Sequence, residues 1–354
     1  MIVTRTPFRI TLGGGGTDLP SFYEKHGGYI LAAGIDKYMY VALNVPLADR
    51  LVRLHYTQSE TVSSAHLLRH ELAREALLFH GVTDAIEIAS LADLPAGTGL
   101  GSSSCYLVGL LNALRAYCQM PTTSQDLAEE ACEIELGTLK KPIGKQDQFM
   151  AAYGGLTELV IDPDGTVTAT RLELSPYLLA EFVSKTHLYY TNVRRDTTDI
   201  LKEQNEALRS SAPSNGKPSV ESALVEIAAI GKEIGKAMRA GNFDKFGHLM
   251  HDHWLAKKRM SSKITVNAME ELYEHVRREF GVTGGKVAGA GGGGFMMLYC
   301  PRGGRVLTEY MASKGFARLD WGMDFTGSRV VSNLLVNSSV PLHRRRAETP
   351  PAPA

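Results

Sequence analysis

Residues 97–104 read Gly97-Thr98-Gly99-Leu100-Gly101-Ser102-Ser103-Ser104 and run directly into Cys105-Tyr106-Leu107-Val108-Gly109-Leu110-Leu111. Three glycines in five positions leave a loop nearly free of side chains. The apolar stretch behind it predicts a buried helix over 104–117, apolar almost all round. A stripped backbone lets N–H groups close on an anion, and a helix start aims the positive end of its dipole at the same point. The serine hydroxyls add donors and a hard oxygen suited to Mg2+. The segment therefore reads as a phosphate cradle formed by Gly97, Gly99, Leu100, Gly101, Ser102, Ser103 and Ser104. No Gly-Lys-Ser/Thr closes it, which excludes a Walker A loop. No Gly-x-Ser-x-Gly occurs either, so the serines do not form a hydrolase elbow.

Two further glycine runs accompany it. Gly13-Gly14-Gly15-Gly16 precedes Thr17-Asp18 and suggests backbone approaching a ligand closely. Gly289-Ala290-Gly291-Gly292-Gly293-Gly294 matches G-x-G-x-x-G in form, but a dinucleotide fingerprint needs a helix after it. Phe295-Met296-Met297-Leu298-Tyr299-Cys300 reads instead as a strand. A tight turn backing an active site is expected, with Gly289, Gly291, Gly292 and Gly293 supporting the phosphate loop; a hairpin with only a folding role is the alternative. In Pro142-Ile143-Gly144-Lys145-Gln146-Asp147-Gln148, an amine and a carboxylate stand two residues apart. That spacing suits an acid/base pair, and by itself it suits a solvated surface turn better.

The chain has 354 residues, which suggests two domains or one large one, and 44% hydrophobic content supports a full core. Lys plus Arg and Asp plus Glu both total 38, so charge gives no case for nucleic acid or a membrane surface as partner. Cys105, Cys118, Cys132 and Cys300 lack metal spacing and read as free thiols of a reducing compartment. No signal-peptide pattern opens the chain, and a cytoplasmic location is expected. Periodicity predicts strands over 2–4, 9–12, 29–33, 38–44, 85–90, 156–161, 166–172, 188–191, 286–288 and 295–300. It predicts helices over 66–80, 220–238, 243–254 and 266–280, and another from a Thr123/Asp126 capping box to about 137. A boundary is expected near residue 180, giving domains 1–180 and 181–340, with 341–354 a disordered tail. His248, His251 and His253 resemble a metal cluster, and His248 and His251 share a helix face, but no cysteine or further carboxylate joins them locally and no metal site is expected there.

In order, Pro7-Phe8-Arg9 with the glycine run ending at Asp18, Gly-Leu-Gly-Ser-Ser at 99–103, Gly-Lys-Gln-Asp-Gln at 144–148 and Gly-Ala-Gly-Gly-Gly-Gly at 289–294 resemble the GHMP kinase superfamily. These motifs span residues 7–294. Within the superfamily, residues 13–20, His26-Gly27-Gly28, Gly34-Ile35-Asp36-Lys37-Tyr38 and residues 141–148 resemble bacterial D-glycero-D-manno-heptose 7-phosphate kinases. The resemblance implies an α+β fold with a ribosomal-protein-S5-like N-terminal domain and a ferredoxin-like C-terminal domain, ATP and sugar binding between them. It implies transfer of the ATP γ-phosphoryl group to the anomeric O1 of a heptose 7-phosphate, with ATP and Mg2+ as cofactors, feeding nucleotide-activated heptose synthesis. A homodimer is compatible with it.

Carried over residue by residue, the resemblance makes Asp147 the catalytic base, with Lys145 or Arg9 keeping it ionised. Glu135, twelve positions before Asp147, becomes a Mg2+ ligand beside Ser103 or else Ser102, with Glu133 its rival. Asp18 becomes the acceptor of sugar hydroxyls, flanked by Gly15, Gly16 and Thr17, with Asp36 a weaker candidate. Arg194 and Arg195 are the first choice for the substrate's own phosphate, because guanidinium forks suit phosphate, ahead of Lys140 and Lys141. The alternatives are a fucose- or hexose-type 1-kinase and a non-catalytic sugar sensor. A sensor would be expected to have lost Asp147 or the cradle serines.

Overall fold

The computed structural model describes residues 1–193, 208, 219–260, 267–289 and 293–335. Arg194, Arg195, Gly291, Gly292 and the expected tail 341–354 lie outside the described residues.

Two long antiparallel strands carry the first sheet, β1 (Ile2–Gly13) and β2 (Gly28–Asn44), joined through the short helix α1 (Pro20–His26). There follow β3 (Val52–His55), β4 (Ser59–Val62), α2 (Glu71–Phe79), β5 (Ile86–Ala92), α3 (Ser102–Tyr117), α4 (Ser124–Cys132), α5 (Gln146–Tyr153), β6 (Leu156–Ile161) and β7 (Val167–Arg171). The second half holds α6 (Pro176–Lys185), β8 (Thr186–Tyr190), α7 (Val220–Arg239), α8 (Phe243–Lys258), α9 (Asn267–Phe280), β9 (Gly284–Val287), β10 (Phe295–Tyr299), α10 (Gly304–Ser313), β11 (Arg318–Leu319) and β12 (Arg329–Asn333). The first sheet has the order β12-β1-β2-β5-β3-β4, with β6 and β7 branching from β2; the second is antiparallel in the order β11-β8-β10-β9. The expected boundary near residue 180 falls in α6, between the strands of the two sheets, but β12 returns to pair with β1.

Sheet pairing fuses what local pattern reads as separate strands. Residues 2–4 and 9–12 belong to one strand, and its register with β2 shifts between Pro7 and Phe8. A proline, lacking an N–H, is tolerated at such an irregularity. Residues 29–33 and 38–44 also fuse, because β2 changes partner along its length: Gly28–Ala33 pair with β6 and Met39–Asn44 with β5. Helix α3 packs on β1 and β2, its apolar side chains buried, and forms the centre of the larger core. A second core gathers Trp254, Tyr273, Val287 and Leu298 in the second half. The capping box of α4 closes both ways: Thr123 Oγ1 accepts from the Asp126 N–H at 3.1 Å, and Asp126 Oδ2 from the Thr123 N–H at 2.9 Å. Beyond Cys132 the helix widens into a π-helical turn over Glu133–Thr138.

The glycine run at 13–16 has a partly different purpose from the one its sequence suggests. Helix α7 crosses it so closely that a β-carbon on Gly231 would lie 2.9 Å from the Gly14 nitrogen. Gly14 has φ +78°, and a β-carbon there would collide with the Tyr29 carbonyl. Gly13 and Gly14 therefore serve packing between chain segments, and only Gly15 and Gly16 reach the cavity described below. Among the described residues, no helix is long and apolar enough to cross a membrane.

Candidate active site

A cavity of about 350 Å³ opens between the two halves, lined from β1, the 15–19 turn, the 96–104 loop, the 143–147 segment, α8 and β9. The three glycine-rich segments and Asp147 thus meet in one place. Gly97, Gly99, Gly101, Ser102, Ser103 and Ser104 line it. Gly101 is the N-cap of α3, in left-handed conformation at φ +87°, and no side chain caps the helix. The first N–H groups of α3, which have no partner within a helix, are thus left uncapped at the cavity wall. Leu100 is different: its side chain is fully buried and its carbonyl accepts from the Arg9 N–H at 3.2 Å, so it anchors the loop to β1. Gly289 lines the cavity and lies against the loop; a β-carbon on Gly99 would stand 3.0 Å from the Ala288 carbonyl oxygen and 3.4 Å from the Gly289 nitrogen. Gly293 packs on the Val193 carbonyl.

Asp147 sits in the first turn of α5, and its two oxygens differ. Oδ1 accepts from Arg9 Nε at 2.8 Å and Gln146 Nε2 at 2.8 Å, and Arg9 Nη2 stands 2.6 Å from the same oxygen, so two guanidinium nitrogens converge on Oδ1. Gln146 is itself fixed, its Oε1 accepting from Thr11 Oγ1 at 2.9 Å. Arg9 also donates from Nη1 to the Gly99 carbonyl at 2.7 Å, so one guanidinium ties the carboxylate to the glycine loop. No described residue donates to Oδ2, which lies 3.4 Å from where a β-carbon on Gly101 would stand. Arg9 is therefore the cation beside Asp147. The expectation for Lys145 is corrected: its amine is bound to the Gly165 carbonyl and lies 5.3 Å over the Tyr23 ring, away from Asp147.

Asp18 lines the cavity and is nearly buried. Its Oδ1 accepts from the Gly16 N–H at 3.2 Å and its Oδ2 from the Gln146 N–H at 3.0 Å, which places a carboxylate at the start of α5. Burial pushes its carboxyl above the ordinary carboxylate value, the Gln146 N–H opposes this, and the Asp147 charge adds to it. Thr17 does not reach the cavity: it is fully buried, its hydroxyl donating to the Gly14 and Tyr29 carbonyls and accepting from the Tyr29 N–H. Asp36 pairs with Lys37 at 2.8 Å and accepts from the Gly322 N–H, outside the cavity.

The π-helical turn brings Glu135 inward, where it is wholly buried behind the cradle. Its Oε2 accepts from Ser104 Oγ at 2.9 Å and Gln148 Nε2 at 2.6 Å. The serine that meets Glu135 is Ser104, not Ser103 or Ser102, because Ser104 is the one of the three turned into the protein. Glu135 Oε1 has no hydrogen-bond donor among the described residues; Lys141 Nζ stands 3.7 Å away. Burial raises the carboxyl's proton affinity and Lys141 lowers it. Glu133 is exposed.

The sequence reading missed three groups in the far wall. His253 and Lys257, one turn apart on α8, and Lys286, on β9, all line the cavity and all are buried. Burial, with Arg9 adding to it, pushes the Lys257 amine down to about 7. Burial likewise drives Lys286 and His253 well below their ordinary values. The available signals were the i, i+4 spacing of His253 and Lys257 and a lysine inside an otherwise apolar strand. The remaining members of the histidine pattern do other things: His248 is exposed, and His251 Nδ1 lies 2.9 Å from the Tyr273 hydroxyl.

Residues 61–155 match the GHMP kinases N-terminal domain and residues 235–308 the GHMP kinases C-terminal domain. The chain is 28% identical over 315 residues to a D-glycero-alpha-D-manno-heptose 7-phosphate kinase of Campylobacter jejuni, covering 84% of this chain and 89% of that one. It is 26% identical to an L-fucokinase/L-fucose-1-P guanylyltransferase of Bacteroides fragilis, over 83% of this chain and 34% of that longer protein. A crystal structure titled as a D-glycero-D-manno-heptose 1-phosphate kinase from Bacteroides thetaiotaomicron shares the fold, with TM-score 0.76 and 20% identity over 94% of this chain and 99% of that one. With a matched domain in each half, the two-sheet α+β architecture and the motif order all in agreement, the chain carries the N- and C-terminal domains of the GHMP kinases and is a sugar kinase, a phosphotransferase acting on a hydroxyl group.

Proposed function

We propose that this sugar kinase transfers the ATP γ-phosphoryl group to the anomeric O1 of D-glycero-D-manno-heptose 7-phosphate. The observation that carries the reading is the unequal pair of oxygens on Asp147 beside the uncapped loop. Oδ1 is saturated by Arg9 and Gln146, which leaves Oδ2 as the acceptor for a proton. Phosphoryl transfer demands mainly alignment and charge neutralisation. The 97–104 backbone and the serine hydroxyls hold the β- and γ-phosphates, and Asp18 with the bare Gly15 and Gly16 backbone positions the sugar. As the bond from O1 to Pγ forms and the bond from Pγ to the β-phosphate bridging oxygen breaks, the O1 proton passes to Asp147 Oδ2 and ADP leaves. Arg9 pairs with the carboxylate through Oδ1 and, through the Gly99 carbonyl, holds it in register with the loop.

The donors around the cradle fit Mg2+, since they are hard oxygens and Glu135 Oε1 is buried without a hydrogen-bond donor among the described residues. Glu135 with Ser104 would hold the ion, which would neutralise phosphate charge. The heptose assignment is supported by the near full-length match to the Campylobacter kinase. A fucose-type acceptor is the second reading, favoured by the match to the Bacteroides fucokinase. ADP release measured with mannose, fucose, sedoheptulose 7-phosphate and manno-heptose 7-phosphate separates them. The expected result is the highest kcat/KM on the heptose phosphate, with a phosphate signal at the anomeric position by 31P NMR. A higher value on fucose would replace the assignment.

A further inference from the structure

The cavity wall built by α8 and β9 carries basic groups that the catalytic reading does not use. Both His253 nitrogens are buried without a hydrogen-bond partner among the described residues. Lys286 is 3% exposed, and its side-chain amine makes no hydrogen bond or ion pair with any described residue. Lys257 donates to the Val287 and Gly289 carbonyls, both neutral acceptors. The charges that bear on these three are one another and Arg9, all of one sign. Burying basic groups without an anionic partner is costly, and a bound anion would supply the counter-charge that lets them take up protons.

We propose that His253, Lys257 and Lys286 form a phosphoryl-binding subsite that takes the phosphate monoester carried by the acceptor sugar. This rests on the sugar-phosphate kinase reading above and relocates recognition of that phosphate from the 194–195 arginines to the wall of the second half. The 97–104 loop and the uncapped start of α3 already supply donors for the nucleotide's phosphates, which leaves the acceptor's phosphate as the anion without them, and the wall reaches the acceptor end. Met260 lines the same cavity just past Lys257, and its Cε lies 3.6 Å from where a β-carbon on Gly16 would stand, beside Asp18 at the acceptor end. A phosphate monoester brings two charges and three acceptor oxygens, enough to engage all three groups.

The test is Lys286→Met, with Lys286→Arg as the charge-preserving control. Calorimetry compares mannose 6-phosphate with mannose, a non-hydrolysable ATP analogue with ADP, and inorganic phosphate alone. The expected result is a loss of roughly 10-fold or more in affinity for mannose 6-phosphate, as for one charge-assisted hydrogen bond, with mannose and both nucleotides unchanged and Lys286→Arg retaining much of the binding. Lys286→Met should also raise Tm, because it removes a buried polar amine that has no hydrogen-bond partner among the described residues, so a folding defect is separable from a binding one. A loss confined to the ATP analogue relative to ADP would assign the subsite to the γ-phosphoryl group and overturn the acceptor assignment. Equal affinities in every pair, or a lower Tm with no selective loss, would overturn the subsite itself. If the wild-type protein phosphorylates no sugar in the panel but Lys286→Met still loses inorganic phosphate, the acceptor reading fails while the subsite stands.

Discussion

At the scale of single residues, the site is organised by giving each titratable group a different electrostatic setting. Asp147 has one oxygen committed to Arg9 and Gln146 and one free. Asp147→Asn should keep nucleotide affinity and lower kcat by about 100-fold or more, the ordinary contribution of a general base. Steady-state kinetics with unchanged turnover would remove the role. Lys257, with its amine near 7 when buried, gives a second prediction. Its folded value lies below the ordinary lysine value near 10.4, so between pH 7 and 10 the unfolded chain holds a proton that the folded one lacks. Stability should rise with pH through that window, the full cost being present below about 7. An anion bound beside Lys257 draws the proton back, so binding of mannose 6-phosphate at pH 8 should take up protons. Calorimetry in two buffers of different ionisation enthalpy checks this; identical heats would contradict it. Little of this was legible in the sequence. The spacing of Lys145 and Asp147 suits a surface turn as well as a catalytic pair, and the resemblance alone distinguishes them. The link from Thr11 through Gln146 joins residues 135 positions apart, and Lys257 and Lys286 come together only through packing.

At the scale of elements, α3 was legible because its signal is local: bare loop, then continuous apolar helix. Only its start moved, to Ser102, since the serines themselves form the first turn. Helix α5 was not legible. It has eight residues and no side-chain cap of its own, and its first N–H is held by Asp18 from another part of the chain. The π-helical turn was equally hidden, since nothing in Glu133-Ile134-Glu135-Leu136 distinguishes it from an α-helical turn, yet it turns Glu135 inward. The loop-to-helix junction carries its own prediction. Gly101→Ala places a β-carbon on a residue at φ +87° and 3.4 Å from Asp147 Oδ2. It should cost about 1 kcal/mol or more in stability from the backbone alone and weaken nucleotide binding as the loop shifts. Thermal unfolding and nucleotide titration read the two effects separately, and an unaltered titration would mean the loop does not depend on that conformation.

At the scale of the whole molecule, the motif order from residue 7 to residue 294 made the two-part architecture legible, because each motif lines or backs the same cavity. The joint between the halves was not legible, since it depends on backbone rather than side chains. Helix α7 reaches β1 only because Gly231 faces Gly13 and Gly14. Gly231→Val should force the helix away and destabilise the fold by about 1–3 kcal/mol, as overpacking does, with the loss visible in denaturant unfolding. A change below a few tenths would show that the seam has slack. The return of β12 was also invisible, because its partner lies more than 300 positions earlier. That late strand bears on how the protein can be made. Ile2–Arg5 gain their outer neighbour only when residues 329–333 have emerged from the ribosome. Until then the strand that bears Arg9 presents an open edge, ready to pair with another chain. An incomplete translation product thus contains the cradle and the base but leaves their scaffold unsealed, and it is such products, not the finished molecule, that would be prone to stick to one another.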